Sequence, residues 1–117
     1  MKLTEAFVVY SFIRDSLLTR DNKPVGSFAY KFYKFMRLVD KEREIMKEVM
    51  DSQWEETYGI TFEKADKETQ EKMQIEFAQE CDKIVIEVDT FITEKDVDSL
   101  GLSFDEIVKI GLLIEEK

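Results

Sequence analysis

Tyr30, Tyr33, Lys34, Arg37 and Lys41 follow one another through steps of three and four, the spacing that gathers side chains on one face of a helix. Arg and Lys offer phosphate charge-assisted donors, while a Tyr ring gives a base a surface to stack on and a hydroxyl to orient it. The chemistry open to such a face is capture of a nucleotide-like anion. The same five residues also fit a plainer arrangement, with the rings packed on a neighbouring helix and the cations reaching water.

The stretch that must position them runs from Ser27 to Trp54 without Pro or Gly, and good helix formers fill its second half. At about 100° per residue, Phe28, Phe32, Phe35, Met36, Val39, Met46, Val49 and Met50 gather on one side as a core-facing stripe. Ser27 stands where it could cap this helix, and Tyr58-Gly59 offers a left-handed stop. Glu42 and Arg43 fall inside the apolar sector, where a charge needs a partner across the bundle, a subunit boundary, or a stem long enough to snorkel.

Before this helix, Leu3, Ala6, Phe7, Tyr10, Ile13 and Leu17 predict a first helix over 3–19, and Asp21, Asn22, Pro24 and Gly26 make the loop between the two. A helical hairpin follows. After it, a charged helix over about 64–82 carries Met73, Phe77, Cys81 and Ile84 on a narrow seam. The run IVIEVDTFI is rich in β-branched residues and alternates, which predicts a short β element near residues 84–92. Its partner is expected to be Gly59 to Phe62 or the same strand of another subunit. One or two helical turns over 93–101 come next. Ser103 and Glu106 then form a capping box, and Leu102 with Ile107 a hydrophobic staple, for a last helix whose Ile107, Ile110, Leu113 and Ile114 face inward. The expected fold is mainly α: a helical hairpin with a long central helix, further helices and that one short β element.

The chain of 117 residues fits a single domain over 1–117, long enough to bury a core without metals or disulfides. The lone Cys81 lies in a helical pattern and reads as a small buried hydrophobe of a reduced compartment. There is no apolar run near 18 residues and no signal-peptide pattern, so the expected location is the cytoplasm, with no membrane contact. A net charge of −9 argues against binding long nucleic acid. The charge is uneven, however: residues 1–50 carry 10 Lys/Arg against 7 Asp/Glu, and between Asn22 and Val39 there are four cations and no acid.

Catalysis finds little support. The chain has no histidine, which removes His-containing triads and carboxylate–histidine metal bundles, and its four glycines form no phosphate loop. Asp96, Asp98 and Gly101 match three positions of a calcium loop, but Leu100 stands at a ligand position and Ile107 where a bidentate Glu is needed. No catalytic residue, metal or cofactor is assigned.

The whole-chain order adds one further expectation. The start MKLTEAF, the loop with Lys23, Pro24 and Gly26, the long helix, the charged helix, IVIEVDTFI and the ending LSFDEIVKIGLLIEE together resemble a widespread class of uncharacterised small phage (prophage) accessory proteins. That resemblance implies a bacterial host cell and action by stoichiometric binding. Two roles compete: a homo-oligomeric sponge that sequesters a nucleotide-type immune signal through the basic–aromatic face, and an assembly or adaptor protein that contacts a protein partner. A carboxylate and Mg²⁺-dependent hydrolase is a third reading, resting only on the chain's 26 acids.

Overall fold

In the computed structural model, residues 1–21, 23–88 and 92–113 are described, and the fold is mainly helical. Helix α1 spans Leu3–Phe12 and passes into one π-helical turn over Ile13–Leu17, closed by the Leu18 amide donating to the Ile13 carbonyl at 3.0 Å. The wider turn keeps Ile13 and Leu17 on the buried side with Leu3, Ala6, Val9 and Tyr10.

Helix α2, Gly26–Tyr58, is 33 residues long. At about 1.5 Å per residue it runs the length of the molecule, whose longest extent is 51 Å. It starts one residue earlier than the sequence suggests, with Val25 preceding it and no side-chain cap, so Ser27 lies inside the first turn. It ends as expected at Gly59, whose φ of 71° is a left-handed conformation that costs a residue with a Cβ more than it costs glycine. Phe32, Phe35, Val39, Met50 and Trp54 are buried along it. Phe28, Met36 and Met46 are partly buried, but Val49 is 45% exposed. Val49 sits at the margin of the stripe, on a side of the helix that the neighbouring elements leave open.

A turn of 3-10 helix, Phe62–Lys64, leads into α3, Lys67–Asp82, capped by Asp66, whose carboxylate accepts from the Thr69 amide at 2.8 Å. α3 turns back along the distal half of α2 and reaches α1, where Phe77 stacks on Phe7. Two short helices, α4 (Glu94–Leu100) and α5 (Phe104–Lys109), each begin with a capping box, Thr93 with Asp96 and Ser103 with Glu106. Val97 and Leu100 of α4, and Ile110 just after α5, pack onto the core of α1 and the proximal half of α2. Ile114 and part of the predicted β element, Asp89 to Phe91, lie outside the described residues.

Among its described residues the β element is reduced to isolated bridges, at Val85 and at Ile92, where the Ile92 amide donates to the Leu113 carbonyl at 2.8 Å, and the partner of Val85 is not the one expected. Gly59 to Phe62 leads into the 3-10 turn, and the bridge instead joins Lys2 to Val85 within one chain. The Leu3 amide donates to the Ile84 carbonyl, and the Ile86 amide to the Met1 carbonyl, both at 2.9 Å. Ile86 enters the core and Val85 is 73% exposed, as alternation requires, but Ile84, expected on the buried seam with Cys81, follows the end of α3 at Asp82 and is 37% exposed. The N-terminal backbone was available because residues 1 and 2 precede α1 and the first amides of a helix have no partner within it. A local apolar pattern carries no signal for a partner about 80 residues away.

The core divides unevenly. A large cluster joins α1, the proximal half of α2, Cys81 and the C-terminal helices, and a small one holds Met50, Trp54 and Met73 at the distal end. Burial pushes the Cys81 thiol up to about 11, so it stays protonated and unreactive at neutral pH.

Two ion pairs tie the short helices to the hairpin: Arg20 to Glu106 at 2.7 Å and Lys31 to Asp96 at 3.2 Å. The Arg20 hydrogen bond holds the Glu106 carboxyl below its ordinary 4.5. The Thr93 amide, with Lys31 adding to it, holds Asp96 below its ordinary 3.8. Because both folded values are depressed, this stabilisation is complete above the unfolded values and is lost as pH falls through the folded ones. The urea midpoint is therefore expected to fall as pH drops from about 5 to about 3. Arg20→Gln should flatten part of that slope, and an unchanged slope would mean the Arg20–Glu106 pair does not persist in solution.

Candidate functional site

The five residues singled out in the sequence all lie on the outer side of α2, opposite Phe32, Phe35 and Val39. Tyr30 is 65% exposed and Tyr33 is 55% exposed, and Lys34, Arg37 and Lys41 are exposed beside them. Neither ring belongs to the buried clusters, which gather on the other side of the helix around Phe32, Phe35 and Val39. From Tyr30 to Lys41 the face covers about 16 Å of helix.

None of Lys34, Arg37 and Lys41 has an ion-pair or hydrogen-bond partner among the described residues. Lys31, in the same acid-free window, is committed to Asp96. The face thus presents two aromatic rings and three uncommitted cations on a convex surface. Neither of the cavities lined by α3 includes any of these residues.

Asp96 from the calcium-like pattern is used structurally, since its carboxylate accepts from the Thr93 amide at 3.1 Å and from Lys31. Arg43, the charge inside the apolar sector, does not cross the bundle to an acid. Its guanidinium lies over the rings of Phe7 at 4.8 Å and Tyr10 at 5.1 Å, with Asp40 of its own helix 4.0 Å away.

Sequence reasoning missed a cavity of about 520 Å³ between the distal half of α2 and α3. Trp54, Phe62 and Phe77 supply apolar walls, and Arg43, Lys47 and Gln74 are at its polar edge. The one signal available was Arg43 in an apolar stripe. A second, open cavity of about 600 Å³, lined by Thr4, Ala78, Gln79, Asp82 and Lys83, lies where the start of α1 meets the end of α3.

Comparison with protein families, curated proteins and solved structures finds no match to this chain. Among the described residues no helix is long and apolar enough to cross a membrane.

Proposed function

We propose that the protein acts by stoichiometric binding, not catalysis, and that the Tyr30–Lys41 face of α2 receives a nucleotide-like anion. The observation that carries this reading is the exposure of both tyrosine rings beside three cations without partners among the described residues. In a chain of net charge −9, holding such a group of cations open is most simply accounted for by an anion that meets them.

A convex helical face cannot enclose a small molecule, and ligand sites usually bury most of their ligand. The proposed bound state is therefore an anion held between the outer faces of two copies. Two such faces repel each other when empty, so the anion and the second copy bind together. In the phage setting that the layout resembles, this is a sponge for a nucleotide-type signal of the host's defence.

Titrating the protein with ADP-ribose and with cyclic dinucleotides, followed by calorimetry and light scattering, tests this. Binding should come with a doubling of mass and no change in the recovered nucleotide after incubation with Mg²⁺. Arg37→Ala should weaken it by about tenfold or more, the loss of one charge-assisted hydrogen bond. Micromolar concentrations that give neither heat nor dimer would end the sponge reading.

One observation favours the adaptor alternative. Ile45 and Val49, 46% and 45% exposed, lie along the flank of α2 between its inner and outer faces just beyond Lys41, and Tyr and Arg are favoured at protein interfaces. In that case a partner protein is captured without nucleotide, and Val49→Asp abolishes the capture.

A further inference from the structure

The cavity between the distal half of α2 and α3 faces away from the Tyr30–Lys41 side, and a nucleotide-like anion on that side makes no use of it. Its volume of about 520 Å³ lies within the range of small-molecule sites, and its composition is theirs too: aromatic walls with a few polar groups at the edge. We propose that it is a second binding site, for a small flat aromatic molecule carrying one anionic group. The ring lies against Trp54, Phe62 and Phe77, and the charge meets Arg43 and Lys47.

The walls are already set in place. The Trp54 indole N–H donates to Glu76 at 2.9 Å, Phe62 lies 6.2 Å from the Trp54 ring at a tilt of 35°, and Phe77 is stacked on Phe7. The Gln70 side-chain Nε2 donates to the Phe62 carbonyl at 2.8 Å, which fixes the turn carrying that ring. A ligand ring therefore meets rigid apolar surfaces and orders little on entry.

The edge selects charge. Arg43 has its guanidinium carbon 4.8 Å from the Phe7 ring centroid and 5.1 Å from that of Tyr10, and rings take up none of the group's five N–H donors as carboxylate acceptors would. Its carboxylate contact with Asp40 is long at 4.0 Å. Lys47 pairs with Glu63 at 2.8 Å, but both side chains are more than half exposed, so the pair is weak and a ligand anion can compete for it. The lining holds two cations, Arg43 and Lys47, and one acid, Glu63, with Asp40 and Asp51 near the cations but outside it, so an anion in the cavity meets two charged donors and a cation only one carboxylate.

Trp54 is the chain's single tryptophan, so its fluorescence reports on this wall directly. The probe is 8-anilinonaphthalene-1-sulfonate, titrated into the folded full chain, with N-phenyl-1-naphthylamine as its uncharged counterpart. The expected result is saturable binding of one sulfonate per chain, with energy transfer from Trp54 and about tenfold weaker binding of the uncharged ring. Arg43→Ala should lose about tenfold. Gln74→Glu, a change at an exposed position, should also weaken the sulfonate without lowering the melting temperature, which covers the case in which Arg43→Ala fails to fold. Arg37→Ala should change nothing here, so the two sites fail or stand separately. Unsaturable or multiple dye binding, equal affinity for the two probes, or wild-type affinity in Gln74→Glu would overturn the proposal.

Discussion

Replacing Phe35 with alanine is expected to leave the protein barely folded. Phe35 is buried in the large cluster, where α1 and the C-terminal helices close over the proximal half of α2. Removing a buried phenyl ring costs about 3–5 kcal/mol through lost transfer energy and the cavity left behind. A domain of ordinary stability has about 5–15 kcal/mol in total, so this one change consumes a large share of it. Urea unfolding followed by far-ultraviolet circular dichroism measures the loss. Tyr33→Ala is the matched control, on the open side of the same helix, and should move stability by no more than about 0.5 kcal/mol. If Phe35→Ala costs under about 1.5 kcal/mol, or Tyr33→Ala costs as much, the assignment of inner and outer faces is wrong.

Trp54→Ala is expected to cost a similar amount, about 3–5 kcal/mol at the site, but to spend it locally. The distal cluster rests on buried Met50, Trp54 and Met73, with Met46, Ile60, Phe62, Ala65 and Phe77 partly buried around them. Without the indole, the distal half of α2 and the start of α3 lose most of what joins them, while the large cluster keeps its contacts. Proteins open in such units, and the unit with the fewest buried contacts opens first. Native-state hydrogen exchange should show amides of Met50 to Tyr58 and Gln70 to Glu76 losing protection in the variant, with Phe32 to Val39 unchanged. Trp54→Phe retains most of the packing and removes only the bond to Glu76, and should fall between. Uniform loss of protection through both halves of α2 would instead mean that the two clusters form one cooperative unit. The same variant removes a wall of the cavity, so dye binding and distal protection should fall together.

The two substitutions also bear on function. An outer face that stays open along a rod needs the inner face to hold that rod straight, and the large cluster does this only for the proximal half of α2. Beyond it, α3 supports the helix through the smaller cluster.

Features set by local chemistry were legible before any tertiary contact was known, apart from the start of α2, which no side chain caps. The long helix follows from an unbroken run of helix formers, its stop from Gly59, the last helix from the Ser103–Glu106 box, and the split into an inner and an outer face from a repeat of three and four. Each of these depends on residues within a few positions of one another, and a local pattern is enough to specify them. Packing between distant segments set the rest. It chose residues 1–3 as the partner of Ile84 to Ile86, put Arg43 over two rings of α1, left Val49 uncovered and opened a cavity between α2 and α3. Those outcomes depend on which distant segments meet, and a backbone hydrogen bond or an aromatic wall carries no mark in the sequence of the partner it will find. That Tyr30 and Tyr33 remain exposed belongs to this second group, because a helical repeat assigns residues to a face but cannot say whether another helix will cover it.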